Sequence, residues 1–79
     1  KLSQLNQLFL SNNLIERFYL IQLKLLPKLS HLDLSDNYNL KEVKINKNLD
    51  FLSINNNIKL NYLNLNFSSI KKFYLNNVS

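Results

Sequence analysis

The sequence predicts an α/β solenoid that is mostly β, a right-handed coil of parallel strands with little or no helix after its first turn. Three observations predict it. "LSHLDLSDN", residues 29–37, carries leucine at its first, fourth and sixth places and asparagine at its ninth, and worn copies recur at residues 5–13, 40–48, 49–57, 60–68 and 70–78. The copies keep one polarity, an offset apolar residue before and asparagine after, which parallel stacking explains directly. Glycine is absent, which disfavours the tight hairpins of an antiparallel barrel or sandwich, although asparagine can substitute in part.

In chain order, the leading apolar residues are Leu5, Leu29, Leu40, Leu49, Leu60 and Ile70, giving steps of 24, 11, 9, 11 and 10 residues. The long first step resembles an ordinary leucine-rich repeat, because Ile15, Phe18, Leu23, Leu26 and Leu29 follow Asn13 where that family's convex return segment needs inward side chains. The spacing 18, 23, 26 is partly helical. Pro27 then disfavours helix at Leu26 and removes a backbone donor, a stop just ahead of the next strand. The shorter steps leave no room for a helix, so each later pair of copies should form one coil with two short strands on opposite sides. This organisation resembles the leucine-rich repeat family, as one typical 24-residue coil followed by compact 20–21-residue coils of two strands, and the resemblance covers essentially the whole chain.

The residue order within a copy follows from strand geometry. Alternate side chains face one way, so Leu32 and Leu34 should point inward and His31, Asp33 and Ser35 outward, with Leu29 packing beneath the turn that enters the strand. By the same rule Leu8, Leu10, Leu52, Ile54, Leu63 and Leu65 are core. Asparagine closes the motif because the backbone loses partners as it turns out of the ladder, and a buried carboxamide can satisfy the turn of its own coil and of its neighbour. Asn13, Asn37, Asn48 and Asn57 are expected to stack as such a ladder; Ser68 and Val78 break the pattern.

Length and composition bound the rest. At 79 residues there is room for one small domain with a thermodynamically marginal core. Leu2 precedes Leu5 by the spacing that separates Leu26 from Leu29, and the chain stops within a motif at "LNNVS", so residues 1–79 read as one segment of a longer array. Cysteine is absent, which removes disulfides, thiolate nucleophiles and sulfur-ligated zinc without fixing a compartment. The longest apolar passage, "LIERFYLIQLKLL", is cut by Glu16, Arg17, Gln22 and Lys24, which argues against membrane insertion. The triplets "NFS" at Asn66 and "NVS" at Asn77 carry no weight in so asparagine-rich a chain.

No catalytic constellation is visible, since there are five carboxylates, one histidine and no thiol. His31 with Asp33 makes at best half a metal site, so neither a metal nor a cofactor is expected. A net charge of +5 raises binding to a polyanion as one alternative, but of Lys41, Lys44, Lys47, Lys71 and Lys72 only Lys44 and Lys72 take outward strand positions, which disfavours nucleic acid.

Function in such a chain should sit in columns running across coils. One sheet is expected to carry Gln7, His31, Phe51 and Lys72 in one column, Phe9, Asp33, Ser53 and Tyr74 in the next, then Ser11, Ser35, Asn55 and Asn76. The opposite sheet would show Glu42, Lys44 and Asn46 beside Tyr62, Asn64 and Asn66. Gln7, Phe9, His31, Asp33, Phe51, Ser53, Lys72 and Tyr74 are the candidate partner-binding residues, with Phe9, Phe51 and Tyr74 foremost because exposed aromatics are frequent interface anchors. The family resemblance implies a noncatalytic module that binds a protein or peptide. A structural spacer within a larger protein is the other reading, because one fold can serve either role.

Overall fold

The computed structural model describes residues 4–20, 26–65 and 70–76. Its strands, in chain order, are β1 (Gln7–Phe9), β2 (Arg17–Leu20), β3 (His31–Asp33), β4 (Glu42–Ile45), β5 (Leu49–Ser53), β6 (Tyr62–Leu65) and β7 (Ile70–Tyr74). The odd-numbered strands form one sheet in the order β1-β3-β5-β7, and the even-numbered strands form another in the order β2-β4-β6. All the pairings are parallel. The described strands thus alternate between two sheets and no two consecutive ones among them pair, an arrangement compatible with a small β-rich coil and contrary to a barrel or sandwich built from hairpins.

Register follows from which side chains must be buried. Leu8, Leu32, Leu52 and Phe73 align across the first sheet, and Phe18, Val43 and Leu63 align across the second. A slip of one residue would turn each strand's apolar set toward water, so the period of two holds the register. Between the sheets Leu32, Leu34, Leu40, Val43, Leu52 and Ile54 are completely buried, and the leading residues Leu29, Leu49 and Leu60 nearly so. Each such side chain contributes about 1.5–3 kcal/mol. Leu8, Leu10, Leu63, Leu65 and Phe73, expected as core or aligned with it, are only partly buried. They lie on β1, β6 and β7 or just beyond, the outermost strands, where a described strand packs on one side only.

The turn leaving the first sheet is built without glycine. Asn12, Asp36 and Asn56 take φ of 58°, 60° and 62°, the left-handed region that asparagine and aspartate tolerate better than other non-glycine residues. Each directly precedes a motif asparagine, which then locks the turn. The Asn37 amide Nδ2 donates to Leu34 O at 2.7 Å and Ser35 O at 3.2 Å in its own unit and to Leu10 O at 3.1 Å in the preceding one. Its Oδ1 accepts from Asn13 N at 3.0 Å. Asn57 repeats the arrangement, donating to Ile54 O and Leu34 O and accepting from Asn37 N at 2.8 Å. Both side chains are fully buried, and among the described residues no buried side-chain polar atom lacks a partner.

Two expectations are corrected here. Asn48 does not join the ladder: it is exposed, between β4 and β5. Its motif copy forms the second-sheet strand β4, and the chain passes from there to β5 without the positive-φ turn that precedes Asn13, Asn37 and Asn57. The expected return segment also begins as a strand, and the part of it over residues 21–25 lies outside the described residues. Arg17–Leu20 is a strand, β2, paired in register with β4 from Arg17↔Glu42 to Leu20↔Ile45. Leu23 lies outside the described residues. Pro27 sits in a tight turn closed by Leu29 N donating to Leu26 O at 3.2 Å, in the second position of the turn, which suits its fixed φ.

The ladder's energetic role is testable by urea denaturation. Asn37→Ala should cost about 2–3 kcal/mol, because it strands buried carbonyls and the Asn13 amide without partners. Asn48→Ala should change stability by less than about 0.5 kcal/mol.

Candidate functional site

The first sheet places the candidate residues in the expected columns. Gln7, His31, Phe51 and Lys72 are register partners, as are Phe9, Asp33, Ser53 and Tyr74. Parallel pairing brings successive rings to neighbouring strands, and three of them touch. His31 stacks on Phe51 with centroids 5.8 Å apart and planes 14° from parallel, and Phe51 meets Tyr74 at 5.3 Å and 43°. Phe51 is thereby half-buried between its neighbours, while Tyr74 remains 43% exposed. Phe9 stands apart on β1, beside Asp33 in register, and is 63% exposed. Gln7 and Lys72 are exposed.

The polar members of these columns divide. Asp33 is half-buried and its Oδ1 accepts from Ser35 N at 2.9 Å, so part of its function is to shape the turn. Ser53 does not belong to the accessible surface: it is 5% exposed, and its hydroxyl lies 2.6 Å from that of Ser35, itself 8% exposed. Alternation alone points both hydroxyls outward, but they are short and hydrogen-bond each other instead of water. In the third column, Asn55 Oδ1 accepts from Asn76 N at 2.8 Å. His31 Nδ1 lies 2.9 Å from Ser30 Oγ. Among the described residues no three histidine or carboxylate groups gather as metal ligands.

The second sheet carries a cluster that sequence reading found only in part. Glu42 Oε2 accepts from Tyr19 OH at 2.5 Å and from Arg17 Nε at 2.9 Å. The Lys44 ammonium lies 4.9 Å from the Tyr19 ring centroid and 5.6 Å from that of Tyr62, a cation–π contact on two sides. Asn64 Nδ2 donates to Tyr62 OH at 3.5 Å. Asn46 is exposed just beyond β4, and Asn66 lies outside the described residues. Arg17 and Tyr19 were missed because the long first step suggested a return segment. The signal was present in "RFYL", whose outward–inward alternation matches "EVKI" and "YLNL".

The electrostatics of this cluster are local. The Tyr19 hydroxyl, helped by Arg17 and Lys44 and opposed by partial desolvation, holds the Glu42 carboxyl below its ordinary value of 4.5. The same hydrogen bond to Glu42, together with desolvation and the carboxylate's charge, raises the Tyr19 phenol above its ordinary 10.0. The cluster is a hydrogen-bonded surface patch, with two cations to one carboxylate, that fastens β2 to β4. Among the described residues, no helix is long and apolar enough to cross a membrane.

Comparison of the chain with protein-family models, with curated proteins and with solved structures finds no match.

The Glu42 assignment carries a pH test. A depressed carboxyl pKa stabilises the fold above the unfolded-state value and loses that contribution as pH falls through the folded-state value. In a carboxyl-carbon NMR titration, Glu42 should have its midpoint below 4.5, and Tyr19→Phe should move that midpoint upward. An unchanged midpoint in the variant would remove the Tyr19 hydroxyl as the cause.

Proposed function

We propose that the chain is a noncatalytic leucine-rich repeat module, a stacked right-handed coil, whose β1-β3-β5-β7 face binds a protein or peptide. The observation that carries this reading is the gathering of His31, Phe51 and Tyr74 into one array of rings on an open sheet, with Phe9 exposed on the same face. Aromatic side chains supply large contact area at low entropic cost and are enriched among interface anchors. The leucine–asparagine motif and the buried asparagine ladder support the family reading.

The opposite sheet is the weaker candidate. Its tyrosines are committed, Tyr19 to Glu42 and both rings to Lys44. A spacer role would leave the first-sheet rings with nothing to do beyond covering one another.

The two readings separate under substitution. Peptides selected from a random display library against the folded chain should lose at least tenfold in affinity for a Phe9→Ser, Phe51→Ser, Tyr74→Ser variant whose circular dichroism and urea midpoint stay close to the parent's. Selected peptides that bind the variant equally well would place recognition elsewhere, and failure to select any would favour the spacer.

A further inference from the structure

The ring array ends at a charge. Lys72 is the register partner of Phe51 on β7 and lies two residues before Tyr74, which puts it in the same column as Phe51 and on the same strand as Tyr74. Most other described lysines are occupied: Lys71 pairs with Asp50 at 3.4 Å, Lys44 lies between Tyr19 and Tyr62, Lys47 donates to Pro27 O, Lys59 donates to Asn39, and Lys28 donates to Gln4, while Lys41 is exposed just ahead of the second-sheet strand β4. Lys72 is exposed and has no ion pair among the described residues. The carboxylate in the adjoining column, Asp33, is two strands away on β3 and is engaged by the Ser35 amide. The array therefore has an uncompensated positive end at β7, on a chain of net charge +5 that draws anions toward it.

Ring geometry narrows the kind of anion. His31 and Phe51 are nearly parallel at 5.8 Å, offset-stacked with their faces turned toward each other. A nucleobase inserted between them would need about 7 Å, twice the base-stacking rise of about 3.4 Å. An exposed lysine without an ion pair among the described residues, in register with a partly exposed ring, suits a segment that offers a carboxylate and an apolar side chain.

We infer that the partner of this face is an acidic peptide segment, with an apolar side chain seated against Phe51 and Tyr74 and a neighbouring carboxylate on Lys72. The inference rests on the proposed function of the first sheet and adds the chemistry of its ligand.

The test is NMR titration of the nitrogen-15-labelled full chain with three probes: a peptide of alternating glutamate and phenylalanine, its glutamine–phenylalanine counterpart, and an oligothymidylate of similar length. The glutamate peptide should shift the amides of Phe51, Lys72 and Tyr74 and bind at least fivefold more tightly than the glutamine peptide. Lys72→Gln should abolish that preference, and Lys59→Gln should preserve it. Equal binding of the two peptides, a preference surviving in Lys72→Gln, equal losses in both lysine variants, no binding of the glutamate peptide, or tighter Phe51-dependent binding of the oligothymidylate would each overturn the inference. A Phe51→Ser, Tyr74→Ser variant separates the two levels. If it loses both peptides while Lys72→Gln keeps the preference, only the ligand's charge was misassigned; if it retains both, the first sheet is not the binding face.

Discussion

The buried asparagine carboxamide is the constraint on which the rest of the structure depends. A chain that leaves one sheet after three to five residues must turn its backbone away from the ladder repeatedly, and the turns at Asn37 and Asn57 carry carbonyls and amides whose hydrogen bonds are buried. Asn37 and Asn57 supply donors to those carbonyls within their own unit and across to the preceding one, and their oxygens accept the ladder amides of Asn13 and Asn37. The same side chain thus closes a turn and fixes the spacing between units. Fixed spacing aligns Leu32 with Leu52 inward, and the alternation of the strand then places His31, Phe51 and Tyr74 where their rings meet outward.

The two faces built on this frame differ in how far their side chains are already satisfied. On the second sheet a carboxylate, a guanidinium, a phenol and an ammonium close on one another, with the tyrosine rings covering the lysine. Exposed pairs of this kind add little stability singly. On the first sheet the rings contact one another, His31 also meets Ser30 Oγ, and Lys72 lies in register with Phe51. A further line of exposed apolar residues, Leu14, Tyr38 and Ile58, follows the ladder asparagines directly at the turns.

Much of this was legible in the residues, and the misses have physical causes. The first-sheet columns could be written from the sequence because a period of two and a terminal asparagine fix both the facing and the register of Gln7, His31, Phe51 and Lys72. β2 was hidden because the step from Leu5 to Leu29 is long enough to suggest a helical return, although Arg17, Phe18, Tyr19 and Leu20 alternate as a strand should. Asn48 ends a motif copy as Asn37 does, but its copy belongs to the second sheet, where no left-handed turn precedes the asparagine. Ser53 has an outward parity and is nonetheless buried, because parity gives direction and says nothing of how high the neighbouring side chains stand. The ring contacts required both sheet order and register, and the sequence pattern contained both once the strands were taken as parallel.

Side-chain amide exchange measures the ladder most directly. In the folded chain the Nδ2 protons of Asn37 and Asn57 should be individually resolved and strongly protected from exchange with water, while those of exposed Asn48 should exchange at the rate of a free asparagine. If the Asn37 and Asn57 carboxamides exchanged as fast as that of Asn48, they would not be holding the turns, and the register that assembles the aromatic face would lack its cause.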